Sequence, residues 1–153
     1  MSMLDKKVPP LLLAGIAAVG IWAMAAVLPG AHLPAWLRIY GALLIFVSGF
    51  LICIAGIIEF RRAKTTVDPR IPETTSSLVT SGIYAKTRNP MYVGFTLFLI
   101  AWAMYLTSLW SLIIVVAFVV FLNRFQIKPE EEALEVIFGQ EFAAYRYRVR
   151  RWI

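Results

Sequence analysis

Two stretches of this 153-residue chain carry residue types at spacings that chemistry can use. The first is Arg88-Asn89-Pro90, followed at once by Tyr92 and Gly94. Asparagine then proline is ordinary helix-start chemistry, with Asn89 as N-cap and Pro90 at the first helical position, but a cap needs no arginine beside it. The free N–H groups of a helix start attract anions, so Arg88 next to one makes a carboxylate clamp. Gly94 lets a ligand or a neighbouring helix come close. The second stretch is Glu130-Glu131-Glu132 with Glu135, after Pro129. Residues three, four and seven apart share a helix face. Glu130 is four before Leu134 and seven before Ile137, and Glu131 is three before Leu134 and seven before Phe138. Both therefore extend the apolar stripe inward, while Glu132 and Glu135 turn to water. An inward carboxylate needs a partner, which a basic residue such as Arg88 or Arg124, or a cationic ligand, supplies.

The elements that must hold these groups are apolar to an unusual degree. Apolar residues make up 60% of the chain and charged residues 16%, against roughly 45–50% and about 25% in soluble domains. Disorder is excluded, because a chain this apolar has ample surface to bury against its ordering entropy. Cys53 is the only cysteine and His32 the only histidine, which excludes an internal disulfide and a cysteine–histidine zinc site. No metal is expected. Cys53 reads as a small packing residue within a helix and His32 as a solvated turn residue. The net charge of +6, joined to this hydropathy, points to a membrane surface. Nucleic acid is not an expected partner, since the arginines have no separate soluble domain to present them.

Three uncharged blocks set the architecture. Residues 8–28 are long enough at about 1.5 Å per residue to cross roughly 30 Å of hydrocarbon, and longer than the apolar stretch of a removable signal peptide. A second block, 39–58, follows a short turn containing Pro29, Gly30 and Pro34, with Trp36 and Tyr40 as interfacial anchors. These two are expected to form a hairpin. The block 91–123 is too long for one span, so a break at Thr107-Ser108, flanked by Tyr105 and Trp110, is expected, with the last helix running past Arg124. The expected spans are about 8–28, 37–58, 91–107 and 109–126 of a single domain covering 1–153. Gly41, Ala42, Ser48, Gly49, Ala55 and Gly56 serve helix packing.

Basic residues fix the orientation. Lys6 and Lys7 precede the first span, Arg61, Arg62, Lys64, Arg70, Lys86 and Arg88 lie between the second and third, and Lys128 with Arg146, Arg148, Arg150 and Arg151 follow the fourth. Only Arg38 sits at the opposite face. The positive-inside rule then puts both termini, and the polar parts 59–90 and 128–153, in the cytoplasm. The first polar part, with Pro69, Pro72 and the run 74–77, reads as a loop with short structured pieces. The second reads as one amphipathic helix over 129–147, its stripe being Leu134, Ile137, Phe138, Phe142, Tyr145 and Val149, with Gly139 a point of kinking or close packing. The terminal arginines with Trp152 read as an anchor on anionic lipid. The expected fold is all-α: an integral membrane four-helix protein with a C-terminal amphipathic cytoplasmic cap helix.

The ordered set Leu78-Val79-Thr80-Ser81-Gly82-Ile83-Tyr84-Ala85, Arg88-Asn89-Pro90-Met91-Tyr92-Val93-Gly94, Glu130-Glu131, Leu134, Phe138-Gly139, Glu141-Phe142, Tyr145 and Val149 resembles the isoprenylcysteine carboxyl methyltransferase family. That family and the phospholipid N-methyltransferases share an Arg-His-Pro motif and a later Glu-Glu pair in a small helical membrane enzyme. The resemblance covers about half the chain, from Leu78 onward, and the N-terminal hairpin is matched only in being hydrophobic. Asn89 stands where the family usually has histidine; asparagine donates and accepts hydrogen bonds but does not titrate near neutrality.

The resemblance implies transfer of a methyl group from S-adenosylmethionine, leaving S-adenosylhomocysteine, to a lipophilic acceptor. It implies that Arg88, Asn89 and Glu131 serve the reaction, and that Thr80, Gly82, Tyr84, Asn89, Pro90, Tyr92, Gly94, Glu130, Glu131 and Tyr145 surround the cofactor. The glutamates suit its ammonium or ribose, Arg88 and the helix start a carboxylate, and the tyrosines its adenine. Carboxyl O-methylation of isoprenylcysteine-type substrates is the nearest expectation. Amine methylation of a phospholipid, thiol methylation of a small molecule, and a non-catalytic four-helix membrane protein are the competing readings.

Overall fold

A computed structural model of the chain describes residues 8–63 and 77–153. Lys6, Lys7, Lys64, Arg70, Pro69, Pro72 and residues 74–76, which figured in the orientation and loop readings, lie outside them. The described residues are all-helical, in the order α1 (Pro10–Val27), α2 (Ala35–Arg62), α3 (Pro90–Tyr105), α4 (Leu112–Leu122), α5 (Lys128–Phe138) and α6 (Gln140–Arg148). Proline opens α1 and α3 at their first positions, where its missing N–H costs nothing. Among the described residues, three helical stretches are long and apolar enough to cross a membrane: α1, α2, and the run Leu109–Phe138 that contains α4 and α5. α3 is apolar but has only 16 residues, about 24 Å at 1.5 Å per residue.

The expected α1–α2 hairpin is not how the bundle packs. α1 and α2 are joined by a turn, but α3 is the helix that both pack against, and it also meets α4. Glycine is the reason α2 and α3 can lie so close. A Cβ on Gly49 would come within 3.0 Å of the Gly94 carbonyl, and one on Gly94 would run into the Cys53 sulfur. Cys53 is thus buried in a seam between helices. On the other side of α3, Ala17 and Ile21 of α1, Leu99 and Ala103 of α3, and Val115, Phe118 and Leu122 of α4 form the apolar core. The outward faces of α1, α2 and α4 expose large apolar side chains along their length, among them Leu11, Val19, Leu44, Phe50, Ile113 and Val120, a surface suited to lipid and not to water.

At one end of the bundle the two turns meet. Ala31 donates its N–H to the Thr107 carbonyl at 2.7 Å, and Thr107, at φ +56°, makes the sharp break after α3. The break expected at Thr107-Ser108 is therefore present. Arg38 lies at this end with its guanidinium 5.4 Å from the centre of the Tyr105 ring, and Tyr105 stacks on Trp102.

At the other end, the expected single cap helix over 129–147 is two helices, and the first is not separate from the span before it. α4 passes through a π turn, Asn123–Ile127, directly into α5. Proline in a helix removes an N–H and crowds the carbonyl four residues back. Here the wider π turn, with the Lys128 N–H bonded to the Asn123 carbonyl, lets the helix continue through Pro129. The real break is Gly139, at φ +51°, after which α6 folds back. Phe142, Tyr145 and Val149 pack on Leu78, Leu134 and Phe138. Ile137, placed on the apolar stripe by spacing, is instead 41% exposed, because the chain turns at Gly139 and leaves that face of α5 uncovered.

Candidate functional site

The polar end of the bundle gathers three segments: the start of α3, the first turn of α5, and the chain from Tyr145 to Trp152. Arg88 joins them. Its Nη2 donates to Glu131 Oε1 at 2.7 Å, and its Nη1 donates to the carbonyls of Arg146 at 2.9 Å and Val149 at 3.2 Å. The latter two contacts place a cation at the C-terminal end of α6, where unpaired carbonyls and the helix dipole favour it. Arg88 Nε is buried and has no partner among the described residues.

Glu131, 7% exposed, is held by two guanidinium groups. Arg151 donates through Nε to Oε1 at 3.1 Å and through Nη2 to Oε2, so one buried carboxylate carries two cations. The π turn contributes Asn123, whose Oδ1 accepts from Trp152 Nε1 at 3.1 Å and Arg151 Nη1 at 3.5 Å. Glu130 turns to the neighbouring phenol, Tyr92, whose hydroxyl donates to Oε1 at 2.6 Å. Glu132 and Glu135 face outward and pair with Lys128 and Arg146 in water, as spacing indicates.

Asn89 occupies the N-cap position of α3 but makes no side-chain cap. Its Nδ2 donates to the Arg151 carbonyl at 2.9 Å, while its backbone N–H is accepted by Thr87 Oγ1 at 3.2 Å. With Arg88 N–H on the Arg150 carbonyl, residues 87–89 are laced to the C-terminal segment. The reading of Arg146 to Arg151 as a lipid anchor needs correction: Arg151 and Trp152 are tied into the network, and Arg146, Arg148 and Arg150 are the exposed cations. Arg88, Glu131 and residues 146–151 line an open cleft of about 610 Å³.

Tyr84 and Tyr145 meet beside this network. The Tyr145 hydroxyl donates to the Tyr84 carbonyl at 2.7 Å. Burial pushes the Tyr84 hydroxyl well above the usual phenol range, with Tyr145 and Glu130 adding to the effect. Burial also raises Tyr145, against a smaller opposing pull from Arg88. Both phenols stay protonated through the physiological range, and Tyr145 acts as a donor.

The structure thus brings Arg88, Asn89, Tyr84, Tyr92, Glu130, Glu131 and Tyr145 together. It places others elsewhere. Pro90 is buried against Gly56, and Gly94 against Cys53, so both serve contact with α2. Gly82 lies on Glu59, and Thr80, half-buried, precedes that turn. Three members of this network escaped the sequence reading, Asn123, Arg151 and Trp152, as did the contact of Glu59 with the Ser81-Gly82 turn. Glu59 is the one carboxylate on a 28-residue apolar helix, a signal that is easily taken for the end of a span. Arg151 was signalled by the need of an inward glutamate for a basic partner.

A protein of Haemophilus influenzae, described only as uncharacterized, is 40% identical over 63 residues, which is 41% of this chain and the whole of that protein. No solved structure matches the chain significantly. The family model for phospholipid methyltransferases matches residues 37–141, a stretch running from the start of α2 to the first residues of α6. With more than half of the chain matched, and apolar helices leading to a carboxylate–arginine cluster, this protein belongs to the phospholipid methyltransferase family of membrane methyltransferases.

Proposed function

We propose that this protein transfers a methyl group from S-adenosylmethionine to a lipophilic acceptor at the membrane surface. One observation carries the reading: Arg88 and Glu131, 43 residues apart, meet at 2.7 Å at the polar end of an apolar bundle, with Tyr92 and Glu130 beside them. Nothing in apolar helix packing requires two carboxylates there, and burying charge is costly unless it is paired.

The residues fit the cofactor. Bound, it would supply a methyl group activated on a sulfonium, together with an ammonium, a carboxylate, ribose hydroxyls and adenine. Glu130 and Glu131 offer carboxylate oxygens to the cationic and hydroxyl groups, and Arg88, its Nε unpartnered among the described residues, and the arginines of the cleft suit the carboxylate. Tyr84, Tyr92 and Tyr145 suit the adenine. The cleft volume of about 610 Å³ lies within the roughly 300–1,000 Å³ of small-molecule sites. In-line methyl transfer gains chiefly from alignment, worth roughly 7–11 kcal/mol when reacting groups are well held, and ion pairs that tie Glu131 of α5 to the segments before α3 and after α6 supply that rigidity. Asn89, bound to the Arg151 carbonyl, positions the C-terminal segment and takes no proton.

The nearest acceptor is a carboxylate of isoprenylcysteine type, approached through the bilayer. The family match favours a second acceptor, the amine of a phospholipid head group. Four spans, α1, α2, α3 and the α4–α5 run, would put Arg61, Arg62, Lys86, Arg88 and Lys128 on the cytoplasmic side with the site, and Arg38 alone among the described basic residues opposite. A local thinning of the bilayer accommodates the short α3.

The test is equilibrium binding of S-adenosylhomocysteine to the purified protein in lipid nanodiscs, beside Glu131→Gln. Saturable binding that weakens tenfold or more in the variant supports the reading. Folded protein that binds none overturns it.

A further inference from the structure

We infer that Glu59 is a positioning residue for this site, acting through the Ser81-Gly82 turn on Tyr84; the inference rests on the methyltransferase reading above. Glu59 is near the end of α2 and 8% exposed. Its Oε2 accepts from Ser81 Oγ at 2.6 Å, across 22 residues of sequence. Its Oε1 accepts from Arg62 at 3.1 Å, but Arg62 is 74% exposed, so that ion pair is screened and adds little. The chain of the turn lies directly on the carboxylate. Gly82 has φ +56°, and a Cβ there would stand 2.5 Å from Glu59 Cδ. Only glycine satisfies both the left-handed backbone and the contact.

The turn then delivers Tyr84. Gly56, Glu59 and Phe60 share one face of α2 by helical spacing, and together they make a seat. Tyr84 sets its ring edge-on to Phe60 at 5.2 Å, its hydroxyl is 3.6 Å from where a Gly56 Cβ would be, and its carbonyl receives the Tyr145 hydroxyl. A path of direct contacts therefore runs from Glu59 through Ser81 and Gly82 to Tyr84 and on to α6. An apolar residue at position 59 would hold the helix end at least as well, since a buried carboxylate pays desolvation. What the carboxylate adds is a directed bond that fixes the register of the turn.

The experiment compares S-adenosylhomocysteine binding and thermal unfolding, in nanodiscs, for the wild type, Glu59→Leu, Glu59→Ala, Glu59→Gln, Ser81→Ala and the Glu59→Ala/Ser81→Ala pair. Glu59→Leu is expected to unfold at or above the wild-type temperature yet bind tenfold or more weakly, which separates positioning from stability. Glu59→Gln, which keeps an acceptor for Ser81, restores most of the affinity lost in Glu59→Ala. Ser81→Ala weakens binding about threefold, and the double variant is no weaker than Glu59→Ala alone, because both remove one contact. Should Glu59→Ala fail to fold, Glu59→Leu and Ser81→Ala decide. Wild-type affinity in those two overturns the positioning role and leaves the site reading intact, whereas a folded wild type that binds nothing overturns both.

Discussion

The two ends of this bundle solve the same problem with different chemistry. Each must turn the chain around α3, and each holds an arginine with its Nε buried and unpartnered among the described residues. At the Arg38 end the turns close with backbone bonds such as Ala31 to Thr107, and the guanidinium rests on the Tyr105 ring. At the Arg88 end the guanidinium is fixed by Glu131 and two carbonyls, and a second arginine completes the carboxylate. This helix end is finished with aromatic rings, backbone bonds and the hydroxyls of Ser108 and Ser111, and without a carboxylate among the described residues. The extra carboxylates at the Arg88 end are therefore not a requirement of the fold, and that excess is the ground on which the site is proposed there.

The largest expected effect comes from Glu131→Ala. It leaves the buried Arg88 without its carboxylate, and removing one partner of a buried pair costs about 3–5 kcal/mol. Thermal unfolding in nanodiscs should fall accordingly, with S-adenosylhomocysteine binding lost. An unfolding temperature equal to that of the wild type would mean that the network is no more than surface pairing, and the contrast between the ends would vanish.

Next in size is Gly139→Ala. A Cβ there meets no neighbour within 4 Å, so the cost is that of the backbone alone, φ 51° with ψ −120°, a region sparsely populated by residues with a side chain and worth about 1–3 kcal/mol. Stability should drop by that amount. A loss much greater than this would show that α6 depends on a straight continuation of α5 in some other state.

How far the sequence could be read follows the same division between ends. The apolar helices, the break at Thr107 and the inward turn of Glu130 and Glu131 were legible, because periodicity and charge report which face is buried. The packing order was not: hydrophobicity alone does not tell that α3 lies between α1 and α2, a fact decided by small residues such as Gly49 and Gly94. The cap was misread for a local reason. Pro129 signals a helix start, and only the π turn before it, which depends on the whole packed end, allows the helix to run through. Arg151 and Trp152 were obscured by their basic neighbours, since a run of arginines looks alike whether it faces lipid or a glutamate.

Tyr145→Phe tests the polar end more gently. It deletes the hydrogen bond to the Tyr84 carbonyl, worth about 0.5–1.5 kcal/mol. It also changes the alkaline limb of stability. The folded pKa of Tyr145 is raised above the unfolded value near 10. Its contribution is thus fully present below about pH 10 and is lost as pH rises further, because the unfolded chain releases the proton first, by up to about 1.4 kcal/mol per pH unit. The variant should show a shallower decline above pH 10 than the wild type, and identical slopes would refute burial of that phenol.

The smallest effect is expected at the opposite end, from Arg38→Met. Methionine keeps an unbranched apolar stem against α3 but gives up the cation over the Tyr105 ring, an interaction of about 0.5–1 kcal/mol at a partly exposed site. No carboxylate is left behind, since Arg38 has none in contact among the described residues. Unfolding should shift slightly and S-adenosylhomocysteine affinity should stay within twofold of the wild type. The matched change, Arg88→Met, strands Glu131 with Arg151 alone and frees the carbonyls at the end of α6, so its loss of binding should be at least tenfold. Equal losses in the two variants would mean that the arginines serve only to finish helices, and the reason for placing the chemistry at the Arg88 end would be gone.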